Sequence, residues 1–236
     1  MRDKIRAQLL QLAEPDYKAF QEKLLPGVTD LLGVRVPKLR EIAKKTAKSG
    51  AFEYLSQMQD VDWQDDGCYE EKLLYGMVIG YAKMNDSERR QYLEAFVPVI
   101  DSWGVCDSCC VTYKWMKKQP AYWWDYLNRW ILTDTEYGIR FGIVSMLDHF
   151  VDQTYIEEIF HVCSQIRNEG YYARMAVAWL ISVCFVRFPE KTCAFLEKGT
   201  LDGFTHNKSI QKTCESDRVS KEWKASARKL RREEQK

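Results

Sequence analysis

Asp101-Ser102-Trp103-Gly104-Val105-Cys106-Asp107 reads as the start of a helix, and its spacing returns along the chain. Asp101 has the side chain of an N-cap, and Trp103 and Asp107 fall one turn apart on one helical face. A capping-type residue is followed six positions later by a charged one at Asp66/Lys72, Asp101/Asp107, Asp134/Arg140, Asn168/Arg174 and Asp202/Lys208. Successive charged positions lie 35, 33, 34 and 34 residues apart. Two helices and two turns occupy about 34 residues in a helical-hairpin repeat. The pattern predicts an all-α chain built as an α-solenoid, with a non-repeating helical bundle as the alternative.

Outward from that stretch the helical periodicity is continuous. Residues 3–13, 15–25 and 38–48 read as N-terminal helices, with Pro26-Gly27 and Gly50 as stops. From Asp66 the helices expected are 67–83, 87–97, 102–117, 120–131, 135–149, 153–166, 169–187, 190–198, 203–214 and 219–232. Asn85-Asp86, Pro98, Pro120, Asp134, Asp152, Gly170, Pro189, Gly199 and Gly203 separate them. No alternation long enough for a strand competes. The organisation expected is one domain, with N-terminal helices over 1–60 and repeats over 61–236.

A chain of 236 residues can bury a sizeable core. Its net charge of +1 neither announces nor excludes a nucleic-acid partner, because the local field depends on where the charges sit. No apolar run approaches the ~20 residues that span a bilayer. Met1-Arg2-Asp3-Lys4 is charged and leads into an amphipathic run, so neither a signal peptide nor a membrane role is expected. Eight cysteines in such a chain suit a reduced, cytoplasmic protein with buried thiols. Cys106 and Cys109 have CxxC spacing, with Cys110 adjacent, but no second pair follows and His149, His161 and His206 are scattered. No metal is expected. No Gly-rich phosphate loop is present, so no nucleotide cofactor is expected either.

The repeated charged column reads Lys72, Asp107, Arg140, Arg174, Lys208: one acid among four bases. On a solenoid, residues at equal offsets share a face, and such a row could track a polyanion, each base releasing counterions from a phosphate. Lys114, Lys117, Lys118 and Lys212 would add to it. The same residues would equally make a solvated face. Residues 218–236 carry eight bases against three acids, which suits an anionic partner or the C-terminal dipole of a last helix.

Among eight tryptophans, Trp123, Trp124 and Trp130 are expected to pack between helices. Trp103 and Trp179 sit on helices of the charged column. An indole face with a carboxylate nearby can hold a cation or a cation developing in a transition state. Core tryptophans and a surface aspartate are the alternative. Trp179 lies five residues after Arg174, so an ideal helix turns it about 140° from the column.

The chain resembles the AlkD-type DNA alkylation repair proteins, built of HEAT-like helical repeats. The likeness rests on Leu25-Pro26-Gly27, on Leu31-Leu32-Gly33-Val34-Arg35-Val36-Pro37-Lys38-Leu39-Arg40, on Trp103 to Asp107, on Ile139-Arg140-Phe141, and on Met175-Ala176-Val177-Ala178-Trp179. The resemblance implies a basic surface for duplex DNA and a glycosylase that removes cationic N3- and N7-alkylated purines. Trp103, Asp107 and Trp179 match the catalytic tryptophan, aspartate and second tryptophan of that family, and Arg140 matches a DNA-contacting arginine. Lys72, Lys114, Arg174, Lys208 and Lys212 complete the expected DNA contacts. Active members carry a tryptophan where this chain has Ser102 and an aspartate where it has Gly104. A non-catalytic DNA-binding relative and a protein-interaction solenoid are therefore the alternatives to a glycosylase.

Overall fold

Prolines, glycines and polar caps set the helix boundaries in the computed structural model of the protein, which describes residues 1–233. Among the described residues it is all-helical, with fourteen α-helices and no strand. The chain forms two compact units, Met1–Trp115 and Met116–Lys236.

Unit 1 contains α1 (Arg2–Leu12), α2 (Pro15–Leu24), α3 (Val36–Ser49), α4 (Ala51–Gln59), α5 (Tyr69–Tyr81), α6 (Asp86–Phe96) and α7 (Trp103–Cys110). Pro15 and Pro37 stand in first turns, where the missing N–H costs nothing. Asn85 and Glu88 close a reciprocal capping box on α6. From Leu73 onward helix α5 carries no charged side chain, and it is buried from Tyr69 to Gly80, as an apolar helix must be. It packs on α3, α4, α6 and α7. Gly80 and Gly76 let neighbours approach closely, since an added Cβ would strike Thr112 at the first and Cys109 and Phe96 at the second.

The motif around Gly33 is a captured loop. The Glu70 carboxylate accepts the backbone N–H groups of Leu32, Gly33 and Val34 at 3.0, 2.7 and 3.1 Å. Gly33 has φ +91°, and a Cβ there would lie 2.6 Å from the Glu14 carbonyl, so only glycine fits. Burial raises the Glu70 carboxyl above its ordinary range, against the lowering effect of those three donors.

Unit 2 contains α8 (Pro120–Leu132), α9 (Glu136–His149), α10 (Ile156–Gln165), α11 (Tyr171–Arg187), α12 (Pro189–Lys198), α13 (Gly203–Glu215) and α14 (Lys221–Lys229). Helices α9 and α11 carry its core, α9 packing on α8 and α11, and α11 on α12 and α13. Beyond α14 the chain returns to α13. Asn207 donates to the Arg232 carbonyl and accepts its N–H, both at 3.0 Å, and His206 Nε2 lies 2.8 Å from the Leu230 carbonyl. Glu234 and Lys236, counted in the C-terminal charge, lie outside the described residues.

Two local expectations need correction, and one helix was not anticipated. Residues 51–59 form α4, whose buried Ala51, Tyr54, Leu55 and Met58 have helical spacing. The helix expected over 102–117 stops at Cys110, where the Thr112 hydroxyl donates to the Cys109 carbonyl at 2.6 Å, and a 3-10 helix follows at Lys114–Lys118. The cap of α7 is Ser102, whose hydroxyl accepts the Val105 N–H; Asp101 lies outside the helix. No described helix is long and apolar enough to cross a membrane.

Candidate active site and nucleic-acid interface

In unit 1 the Ser102 cap makes Trp103 the first residue of α7 and puts Asp107 one turn on. At that spacing Cβ atoms stand about 5–6 Å apart. Both side chains are partly exposed. The indole N–H of Trp103 donates to the Leu24 carbonyl at 3.1 Å. That oxygen belongs to the last turn of α2, where intrahelical donors run out. Between the two site residues, Gly104 lies against α5: an added Cβ would overlap the Tyr69 hydroxyl and stand 3.2 Å from Leu25 Cδ2.

Lys72 does not reach solvent. It is 5% exposed, and its ammonium sits 2.7 Å from Asp101 and 3.2 Å from Asp30. Desolvation opposes its charge, but the two carboxylates prevail and raise its pKa. Lys114 is exposed at the start of its 3-10 helix. Arg40 and Lys44, four apart on α3, were not singled out by the sequence pattern. Arg40 donates to the Tyr81 hydroxyl at 3.1 Å, and the Lys44 ammonium lies 5.5 Å from the centre of the same ring.

In unit 2, Arg140 on α9 is 6% exposed and donates to the Tyr172 carbonyl at 2.9 Å. Arg174 on α11 and Lys208 on α13 both lie over the Phe204 ring, at 4.4 and 5.9 Å from its centre. Lys212, one turn after Lys208, is half-buried. Trp179 is half-exposed on α11. Phe204, Arg231 and Arg232 join Arg174 and Lys208 around one cavity. The shared offset of Arg174 and Lys208 and the basic run after residue 218 pointed to these bases in the sequence, whereas Phe204 was not singled out.

The tryptophans divide sharply. Trp63, Trp115, Trp123, Trp124, Trp130 and Trp223 each pack against another aromatic ring. Among the described residues, Trp103 and Trp179 have no ring or cation partner.

Six of the eight cysteines are buried. Burial pushes Cys68 and Cys163 up to about 12 and holds Cys109 well above the ordinary thiol range. The Cys106–Cys110 cluster is thus packing, with Cys109 Sγ on the Leu73 carbonyl at 3.5 Å. Among the described residues, no three His, Cys, Asp or Glu side chains gather as a metal-holding group.

No curated protein and no solved structure matches the chain. The family model for the DNA alkylation repair enzyme matches residues 5–223, a span that includes Trp103, Asp107, Arg140 and Trp179. The chain belongs to the DNA alkylation repair enzyme family.

Proposed function

We propose that the protein binds duplex DNA and removes N3- or N7-alkylated purines by cleaving the N-glycosidic bond, on a scaffold of HEAT-like helical hairpins. Family membership supports the DNA target. Alternate-helix packing supports the hairpins: α3 on α5 and α5 on α7 in unit 1, α9 on α11 and α11 on α13 in unit 2. One observation carries the chemistry. The two tryptophans nominated for the site are the two without an aromatic neighbour, and both are partly exposed, whereas the other six are consumed in ring packing.

An alkylated purine is already cationic. When its bond to C1′ breaks, the bonding pair leaves with the base and the sugar becomes oxocarbenium-like. In this mechanism the Trp103 indole, held by its edge on Leu24, offers a π-face to the positive charge. The Asp107 carboxylate stabilises the developing sugar cation and takes a proton from the water that attacks C1′. The family resemblance assigns the role of second indole to Trp179, which lies in unit 2. Phosphate contacts fall to Arg174, Lys208, Lys212 and Lys114, while Lys72 and Arg140, buried on their own partners, hold helices in place.

Ser102 and Gly104 favour the non-catalytic alternative, because the cap and the Tyr69 contact occupy positions where active members carry tryptophan and aspartate. A duplex containing 7-methylguanine separates the two. Glycosylase action releases free base, and Asp107→Asn lowers the rate roughly 10²–10³-fold. Binding without release identifies a non-catalytic relative. No binding in an anisotropy titration at low salt removes the DNA proposal altogether.

A further inference from the structure

We propose that the cavity between the start of α13 and the returning C-terminal segment is a phosphate-binding site. The cavity measures about 670 Å³, and its lining includes Arg174, Lys208, Arg231 and Arg232 against the acids Asp202 and Glu233. The excess of two positive charges matches the charge of a phosphate dianion.

The bases are under-used by the protein. Among the described residues Arg174 Nε is buried without a hydrogen-bond partner, and its Nη1 reaches Asp202 only at 4.0 Å. Asp202 is itself engaged as the cap of α13, accepting the Thr205 N–H at 3.0 Å. Lys208 meets a neutral partner, Gln211 Oε1, at 2.9 Å, and Arg232 donates to the neutral Leu201 carbonyl at 2.9 Å. Among the described residues the Arg231 guanidinium has no partner. Cations held on neutral acceptors retain their charge for an incoming oxyanion, and guanidinium groups accept phosphate in fork geometry.

The cavity is also pre-shaped. The reciprocal Asn207–Arg232 hydrogen bonds fix the backbone carrying Arg231 and Arg232, and the Phe204 ring supports Arg174 and Lys208 from below. A Cβ on Gly203 would meet nothing within 4 Å, so the floor beside the cap is open. The site stands on this geometry alone. It rests on the DNA proposal only for the source of the phosphate, which is either a duplex phosphodiester or a free phosphomonoester.

Two variants test it on the full chain. Gly203→Glu puts an acid into open space at the first position of α13, where an acid favours the helix dipole. Arg231→Ala removes a side chain with no intramolecular partner. The probes are inorganic phosphate, a deoxynucleoside 5′-monophosphate and a duplex with unphosphorylated ends, titrated by calorimetry in dilute chloride buffer. Inorganic phosphate should bind the wild type, and each variant should weaken it tenfold or more with an unchanged circular dichroism spectrum. The proposal is overturned if the wild type takes up no inorganic phosphate, or if both variants bind it as the wild type does. A duplex affinity that falls with Arg231→Ala supports the site with a phosphodiester as source. Monophosphate binding with unchanged duplex affinity supports it with a phosphomonoester as source. Phosphate uptake without any duplex binding sinks the DNA proposal and leaves this one standing.

Discussion

Gly104 offers the sharpest test of how α7 is seated. In Gly104→Ala the new methyl overlaps the Tyr69 hydroxyl, and Tyr69 is 3% exposed and cannot swing into solvent. Overpacking of that kind costs about 1–3 kcal/mol. Alanine returns about 1 kcal/mol of helix propensity, so the single variant should lie between about neutral and 2 kcal/mol destabilised. Tyr69→Phe removes the obstructing oxygen, which makes no hydrogen bond among the described residues. The nearest atoms to the new methyl are then Leu25 Cδ2 at 3.2 Å and Tyr69 Cζ at 3.3 Å, which small shifts accommodate. In that background Gly104→Ala should stabilise. The coupling between the two sites is therefore about 1–3 kcal/mol. Urea unfolding of the wild type, both single variants and the double variant, fitted with a common m, measures it. Additivity within about 0.5 kcal/mol would refute the contact as the reason for glycine.

Other outcomes follow from the same structure. Lys72→Met removes the buried ammonium and leaves Asp30 and Asp101 facing water, so it should cost no more than about 1 kcal/mol, yet leave the salt slope of DNA binding unchanged, whereas Arg174→Ala should reduce that slope by about one; urea unfolding checks the first value and titrations at several salt concentrations the slopes. Burial, with the nearby Arg232 guanidinium, holds His206 below the ordinary imidazole range against the raising effect of its Leu230 hydrogen bond. The unfolded chain then binds the proton more readily, so stability is complete above about pH 6.5 and falls as the pH drops through that value. The slope is at most about 1.4 kcal/mol per pH unit, and melting from pH 7.5 to 5 should show a flatter profile in His206→Gln. Under native conditions iodoacetamide should modify Cys193 and Cys214 and spare the six buried thiols, as read by mass spectrometry.

Helical periodicity made most element boundaries legible, because the apolar spacing that buries a face is local. Capping was less so. Asp101 and Ser102 are both good caps, and the choice is settled by Lys72, 29 residues away, which takes the aspartate. The charged column shows the same limit. Lys72, Arg140, Arg174 and Lys208 share an offset in sequence, but Asp30 and Asp101 bury the first and the Tyr172 carbonyl anchors the second. Trp103 and Trp179 were marked by position, while their lack of ring partners depends on where other helices place their aromatics. The return of Arg231 and Arg232 to Asn207 is a pairing across 25 residues that no local pattern announces.

The first turn of α5 explains why the motifs quoted for the family lie where they do. Tyr69, Glu70, Glu71 and Lys72 are consecutive and all buried, and each ties down a different segment. Tyr69 faces Gly104; Glu70 captures the Leu32–Val34 amides; Glu71 pairs with Arg2 and Arg6 at 2.9 and 3.0 Å; Lys72 joins Asp30 to Asp101. A helix interior would ordinarily reject three adjacent charges. They persist because each is paired on site, and removing any partner strands a buried charge. Two of the four ties, Tyr69 and Lys72, end on residues flanking Trp103. The helix that carries the candidate indole and carboxylate is thus positioned from α5, with the Leu24 carbonyl fixing the indole itself. A substitution at Glu71, remote in sequence from Asp107, should accordingly act on fold stability through α1, whereas one at Tyr69 or Lys72 acts on the seating of the site.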